Sequence, residues 1–143
     1  MMIKTAVRLC LLSGAMLVSQ IVLAGGDDLD CDKASTTFAI NQCAAQQLQQ
    51  AEAQMADYLA AAIKHHHVDK ELVAAISDSQ TAWLSYREVH CDAVYTQWRD
   101  GTIRGLMALS CKTALTQQRT STLWQAYLTF LDSTAPILPE PAK

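Results

Sequence analysis

The sequence predicts an all-α protein, a small antiparallel three-helix up-down-up bundle with two disulfides. Three long segments repeat apolar residues at intervals of three and four, turn signals separate these segments, and no segment alternates like a strand. Four cysteines follow an N-terminal apolar run. Short connections between consecutive helices make them antiparallel neighbours, which gives the up-down-up order.

Residues 1–24 have the pattern of a cleaved secretory signal peptide. Lys4 and Arg8 form a short basic start, an apolar run follows, and Ala24 ends the segment in a small residue. Polar and small residues interrupt the run, which is shorter than the roughly 20 apolar residues that a membrane span needs. Cys10 lies inside the run without a small-residue cleavage motif before it. We therefore expect a periplasmic or secreted protein with no stable membrane anchor.

The chain left after cleavage, residues 25–143, is long enough for one small core and too short for two. It retains 9 basic and 14 acidic residues, a formal net charge of −5. This balance argues against nucleic acid as a partner.

The four remaining cysteines are Cys31, Cys43, Cys91 and Cys111. An even number in a small exported chain predicts structural disulfides, because the compartment is oxidising and the core is limited. No pair has the C-x-x-C spacing, so neither a zinc site nor a redox motif is indicated. The sequence predicts no metal and no cofactor.

The first helix is predicted from about Thr37 to Lys64, capped by Ser35 or Thr36. Its apolar positions are spaced by three and four residues. The second helix is predicted to open at Asp69, an N-cap residue.

The second helix is predicted to end near Trp98, because Asp100-Gly101 breaks the pattern. The third helix is predicted from Thr102 to near Leu131. The domain is expected to span residues 25–134, and residues 135–143, with three prolines, are expected to form an extended or disordered tail.

The helix register favours one disulfide pairing. A hairpin centred on Gly101 places Cys91 opposite Cys111, and the segment before the first helix can fold back so that Cys31 reaches Cys43. The same register places Cys43 opposite Cys91, so the pairs Cys43 with Cys91 and Cys31 with Cys111 remain an alternative.

These residues resemble the LprI-like family, a group also described as a domain of unknown function. The shared pattern contains twelve-residue cysteine spacing, a helical motif and a later cysteine: Cys31, Cys43, Gln80-x-x-Trp83-x-x-Tyr86-Arg87-x-x-x-Cys91, Gly101-Thr102, Cys111, Arg119 and Leu123. The resemblance implies a small exported helical domain with disulfides. The family takes its name from a mycobacterial lipoprotein described as a lysozyme inhibitor.

The second-helix motif is predicted to be structural. Leu72, Ile76, Ser79, Trp83, Tyr86, His90 and Val94 share one helical stripe, with Gln80, Arg87 and Cys91 at its edge. We expect Trp83 and Tyr86 in the core. Gln80 and Arg119 are expected to be interhelical polar groups.

Arg87 has two interpretations. It can pair internally, with Glu52, Asp57 or Glu88 as possible partners, or it can bind an acidic group on another protein. Trp98 and Arg99 are the other predicted partner-binding residues, because tryptophan and arginine beside a turn are typical interface anchors.

The sequence predicts no enzyme. His90-Cys91 points in two directions on a helix, and no carboxylate pair converges. Three consecutive histidines, residues 65–67, diverge on a helix and read as a polar turn. We expect a non-enzymatic binding protein that blocks a peptidoglycan hydrolase, such as a lysozyme, by protein–protein contact. The alternative is an envelope structural or assembly module without lysozyme activity.

Overall fold

The structure is a computed structural model that describes residues 29–142. The predicted signal peptide, residues 1–24, lies outside the described residues. A single 3-10 turn, Cys31–Lys33, precedes three helices: α1 (Thr37–His65), α2 (Lys70–Gln97) and α3 (Arg104–Tyr127). Residues 29–142 contain no strand. The predicted all-α, three-helix class is therefore confirmed.

The starts of α1 and α2 follow from capping side chains. Thr36 Oγ1 accepts a hydrogen bond from the Ala39 amide at 3.1 Å, and Asp69 Oδ1 accepts one from the Leu72 amide at 3.0 Å. Each satisfies an amide that the first helical turn leaves without a partner. Both caps were predicted from the sequence.

The third helix is shorter than predicted. It begins at Arg104 because the turn after α2 continues through Ile103, whose backbone acts as the N-cap without a side-chain bond. It ends at Tyr127, and the chain then turns so that the Ile137 amide donates to the Leu128 carbonyl at 2.8 Å. Apolar residues beyond Tyr127 therefore do not extend the helix.

Helix α3 lies close to both other helices, whereas α1 and α2 meet mainly through long side chains. The pairs Cys91–Cys111 and Gln80–Arg119 show that α2 and α3 are antiparallel. In the same way, the contacts Met55–Gln80 and Glu52–Arg87 show that α1 and α2 are antiparallel. The up-down-up order follows.

Small residues allow α1 and α3 to approach. The core contains Ala44, Ala51 and Ala62 on α1. At the end of the bundle, a Cβ on Gly105 would lie 3.1 Å from Asn41 Oδ1, so a larger residue there would require the Asn41 side chain to shift. The helix pair is thus closer than larger side chains would permit.

The centre of the bundle is partly polar. Thr116 and Thr120 are fully buried, and each hydroxyl donates to the carbonyl four residues earlier on α3. Gln80 and Arg87 are also buried. The apolar part of the core consists of Cys43, Ala44, Ala51, Met55, Tyr58, Ala62, Ile76, Cys91, Leu123 and Leu128.

Both favoured disulfides are present. Cys31 bonds to Cys43 and Cys91 bonds to Cys111, each with a Cα–Cα distance of 5.7 Å. This is within the ordinary range for disulfides. The alternative pairing is not formed.

The segment after α3 lies against the bundle. Residues 135–142 are non-helical, as their prolines require, but they pack back on the bundle. Tyr58 Oη donates to the Pro139 carbonyl at 2.7 Å, and Trp124 Nε1 donates to the Leu138 carbonyl at 2.9 Å. Aromatic donors on the helices thus hold the segment, a contact that composition does not reveal.

Within residues 29–142, none of the helices combines the length and apolar character required to cross a membrane.

Candidate functional site: an arginine–tryptophan layer and the α2–α3 tip

Arg87 lies where all three helices meet. Its side chain crosses from α2 toward α1 and α3, and the residue is only 7% exposed. One terminal nitrogen, Nη1, lies 2.8 Å from Glu52 Oε1 and donates to Thr116 Oγ1 at 2.9 Å. The other, Nη2, lies 3.1 Å from Glu88 Oε1. The guanidinium therefore links α1, α2 and α3.

A second cation completes this polar cluster. Lys112 of α3 donates a hydrogen bond to one carboxylate oxygen of Glu88. The other oxygen of Glu88 accepts the hydrogen bond from Arg87. The hydrogen bond from Lys112 and, next, that from Arg87 lower the pKa of the Glu88 carboxyl below its ordinary value, against an opposing contribution from burial. Glu88 is thus held in its charged form between α2 and α3.

Arg119 reaches from α3 to α2. Its Nε donates to Gln80 Oε1 at 3.0 Å, and its Nη2 donates to Ser79 Oγ at 2.9 Å. Burial lowers the pKa of the Arg119 guanidinium, because removal from water disfavours its charged form. Gln80 Nε2 in turn lies 3.5 Å from Met55 Sδ on α1.

Both arginines contact the indole of Trp83. The guanidinium carbons of Arg87 and Arg119 lie 5.3 Å and 6.0 Å from the ring centroid. These are cation–π distances. Gln80, Trp83, Arg87 and Arg119 therefore form one arginine–tryptophan layer between the helices.

Tyr86 is not in the core, contrary to expectation. It is 52% exposed and stacks on His90, with ring centroids 5.4 Å apart. The buried face of α2 is centred on Gln80 and Arg87, because paired polar groups occupy the interior there. The stripe predicted from hydrophobicity alone is therefore rotated about the helix axis relative to the face that is buried.

Tyr86 borders a shallow groove of about 330 Å³ between α2 and α3. Trp83 and Arg119 line it from the layer, and the remaining lining residues belong to α3: Leu115, Gln118 and Thr122. No signal in the sequence placed the α3 residues beside Tyr86.

The turn between α2 and α3 carries the other two predicted partner-binding residues. Trp98 is the C-cap residue of α2 and is 38% exposed, and Arg99 is exposed beside it. Tyr95 and Ile103 are 41% and 42% exposed nearby along the chain. Arg104 lies with its guanidinium carbon 5.3 Å from the Tyr95 ring centroid.

These five residues, Tyr95, Trp98, Arg99, Ile103 and Arg104, define the α2–α3 tip. Arg104 Nη1 also donates to the Arg99 carbonyl at 3.2 Å, so one side chain ties the turn to the end of α2. One helical turn below Tyr95, the disulfide of Cys91 crosslinks the two helices. The tip is therefore an exposed aromatic and cationic surface on a crosslinked base.

Arg87 itself does not suit direct contact with a partner. Glu52, Glu88 and Thr116 already engage it inside the bundle, and two of these are acids named as possible partners from the sequence. Asp57 is not among its contacts. The structural interpretation of Arg87 accounts for its surroundings.

The three consecutive histidines lie at the opposite end of the bundle, where α1 ends. His66 Nε2 is 3.1 Å from the Tyr127 carbonyl oxygen, and His67 Nδ1 is 3.0 Å from that of Lys64. In residues 29–142, no three histidine, cysteine, aspartate or glutamate side chains converge as a metal site.

Fold and geometry together define a class: a disulfide-crosslinked three-helix bundle built around an interhelical arginine–tryptophan layer. A model of one protein family, described as "Lysozyme inhibitor LprI", matches residues 31–123. The chain belongs to this LprI family, and the matched region contains both disulfides, the layer and the tip.

A relative in Rhizobium meliloti (strain 1021), the uncharacterized protein R02472, is 29% identical over 105 residues. The alignment covers 66% of this chain and 76% of the relative. No solved structure matches the chain significantly.

Proposed function

We propose that this chain is an exported, non-enzymatic protein that binds a lysozyme-type peptidoglycan hydrolase and blocks its cleft with the α2–α3 tip. Two independent arguments support the export: the signal-like residues 1–24 and the two disulfides, which persist in oxidising compartments. The family name supports the inhibitory role.

The observation that carries the proposal is the composition and support of the tip. Trp98 and Tyr95 offer large amphipathic surfaces, and Arg99 offers a guanidinium at the turn. Tryptophan, tyrosine and arginine dominate the binding energy of protein interfaces. A crosslinked base lowers the entropy lost on binding, because the contact residues are already held in place.

The tip also suits a glycosidase cleft chemically. Glycoside hydrolases hold a pair of carboxyl groups on either side of the bond they cleave, in a concave site. Arg99 and Arg104 can present guanidinium groups to those carboxylates. Asp100 is the acidic residue that lies between them in the sequence of the turn. The overall negative charge of the chain favours approach to a basic enzyme.

Single substitutions at the tip test this proposal. Trp98→Ala and Arg99→Ala are expected to weaken binding of a chicken-type lysozyme by about tenfold or more each, the effect of removing an interface anchor. Val68→Ala and Lys70→Ala are matched controls at the opposite end of the bundle, where Val68 is 78% exposed. Both controls are expected to bind like the parent.

Binding measured by surface plasmon resonance at two salt concentrations distinguishes the outcomes. Higher salt is expected to slow association, because dissolved ions screen the attraction between the charges of the two proteins. Equal losses at both ends, or none at the tip, would contradict the assignment of the interface. Failure of the parent to bind at low salt would contradict the function and favour an envelope-assembly module.

A further inference from the structure

The segment after α3 is seated in an aromatic groove. The buried cluster of Tyr58, Ala62 and Leu128 is packed against Leu138 of this segment and against Trp124 and Tyr127, and Pro141 is buried. The side chains that form the groove belong to α1 and α3 and lie at the opposite end of the bundle from the α2–α3 tip.

Two donors in this groove are aimed at consecutive carbonyl groups. Trp124 Nε1 donates to the Leu138 carbonyl at 2.9 Å, and Tyr58 Oη donates to the Pro139 carbonyl at 2.7 Å. Both bonds are made to backbone carbonyls, and the enclosed side chains of the segment are those of Leu138 and Pro141. Proline-rich peptide ligands are commonly bound in grooves lined by aromatic side chains.

The prolines explain why such a groove selects this kind of segment. Pro141 is buried and has no amide hydrogen, so it enters the groove without leaving a buried donor unpaired, whereas Pro139 is exposed. Their fixed φ angles also reduce the entropy lost on docking. An apolar-Pro-x-Pro segment therefore fits the groove whichever chain supplies it.

We infer that this aromatic groove is a binding site for extended, proline-containing peptide segments, and that residues 137–141 occupy it in cis. The resident segment is joined to α3 by residues 129–136, most of which are exposed. Neither disulfide holds it, since both lie outside this region. A peptide of the same chemistry on another protein competes for the groove once the resident segment detaches.

The tether sets how strongly the resident segment competes. A short linker gives an attached ligand an effective concentration in the millimolar range, so the occupied site excludes weak ligands. Substitutions that weaken the binding of the resident segment to the groove, made in the full chain, expose the site. The double variant Leu138→Ser, Pro141→Ser does this, because it removes the two side chains that are most enclosed.

The probe is a fluorescent peptide with the sequence of residues 135–142, titrated by anisotropy. The double variant is expected to bind at least tenfold more tightly than the parent chain. Adding Trp124→Phe, Tyr58→Phe to the double variant is expected to weaken binding at least tenfold, because both carbonyl donors are lost. A matched peptide with alanine in place of its prolines is expected to bind more weakly.

No peptide binding by a double variant with parental helical circular dichroism would overturn the inference. If that variant does not fold, native-state hydrogen exchange of the parent decides. The Ile137 amide, bonded to Leu128, is expected to exchange by local opening much faster than the Leu123 amide in α3. Exchange of Ile137 only on global unfolding would also overturn it.

Discussion

Arg87 is the residue that joins the three helices. It pairs with Glu52 of α1, bonds Thr116 of α3 and contacts Glu88 on its own helix. Its Nε has no hydrogen-bond partner within residues 29–142, and the neighbouring Trp83 ring provides a cation–π contact instead. A buried cation is tolerated here because opposite charge and hydrogen-bond acceptors surround it.

Replacing Arg87 by alanine is expected to destabilise the protein by about 2–4 kcal/mol, since it removes the partner of Glu52 and the donor to Thr116 and opens a space beside Trp83. Urea unfolding measures the loss. Lys33→Ala is the matched control, because the Lys33–Asp30 pair is exposed and exposed pairs contribute little. Equal effects of the two substitutions would contradict a structural role for Arg87.

Glu88 gives a pH-dependent prediction. Its pKa is lowered in the folded state by Lys112 and then Arg87, so the charged form stabilises the fold. That contribution is complete above the unfolded-state pKa, about 4.3 for glutamate, and is lost as the pH falls below it. Glu88→Gln is expected to reduce the acid-induced loss of stability, measured as urea midpoints between pH 7 and pH 3. Identical pH profiles would contradict this.

At the residue scale, the sequence identifies the residues of the arginine–tryptophan layer but not which side of α2 faces the interior. The predicted interhelical roles of Gln80 and Arg119 match their observed bond. Tyr86 was placed inside because an apolar periodicity treats tyrosine as core and arginine as surface. The ion pairs that bring Arg87 inside depend on α1 and α3, and a helical pattern within α2 contains no information about them.

Helix α2 is the element that depends most on crosslinking. Its backbone approaches α3, whereas long side chains supply its contacts with α1. The disulfide between Cys91 and Cys111 fixes the end of α2 that carries the tip. The other disulfide, Cys31–Cys43, fixes only the segment before α1.

Removing each disulfide in its own variant is expected to lower the stability of both variants but to weaken lysozyme binding in only one. Each Cys-to-Ser pair is expected to cost about 3 kcal/mol, because the closed loops span 12 and 20 residues and differ little in entropy. The variant without Cys91–Cys111 is expected to lose lysozyme binding as well, since the tip is released. The variant without Cys31–Cys43 is expected to bind normally while folded.

Thermal unfolding and plasmon resonance on both variants check this prediction. Normal binding without the Cys91–Cys111 bond would show that the tip needs no crosslinked base.

At the element scale, helix starts were predictable and the end of α3 was not. Capping residues such as Thr36 and Asp69 act locally, so the sequence shows them. The end at Tyr127 and the docking of residues 135–142 depend on contacts with Tyr58, which is 81 residues from Pro139. Non-local contacts of this kind leave no local pattern.

The whole molecule separates its surfaces by position. The α2–α3 tip is at one end of the bundle, and the aromatic side chain of Trp124, which bonds Leu138, lies near the other. The arginine–tryptophan layer between them connects all three helices. Sequence reasoning predicted the bundle, the disulfides and the family, because periodicity, cysteine spacing and motif residues are all explicit in the chain.

The most direct test of the central claim is a lysozyme inhibition titration with the oxidised exported chain. Hydrolysis of peptidoglycan by a chicken-type lysozyme is followed with increasing protein, beside a reduced and alkylated sample. We predict dose-dependent inhibition that is lost on reduction and weakened by Trp98→Ala. Full lysozyme activity at a large excess of the folded, oxidised protein would contradict the inhibitor function.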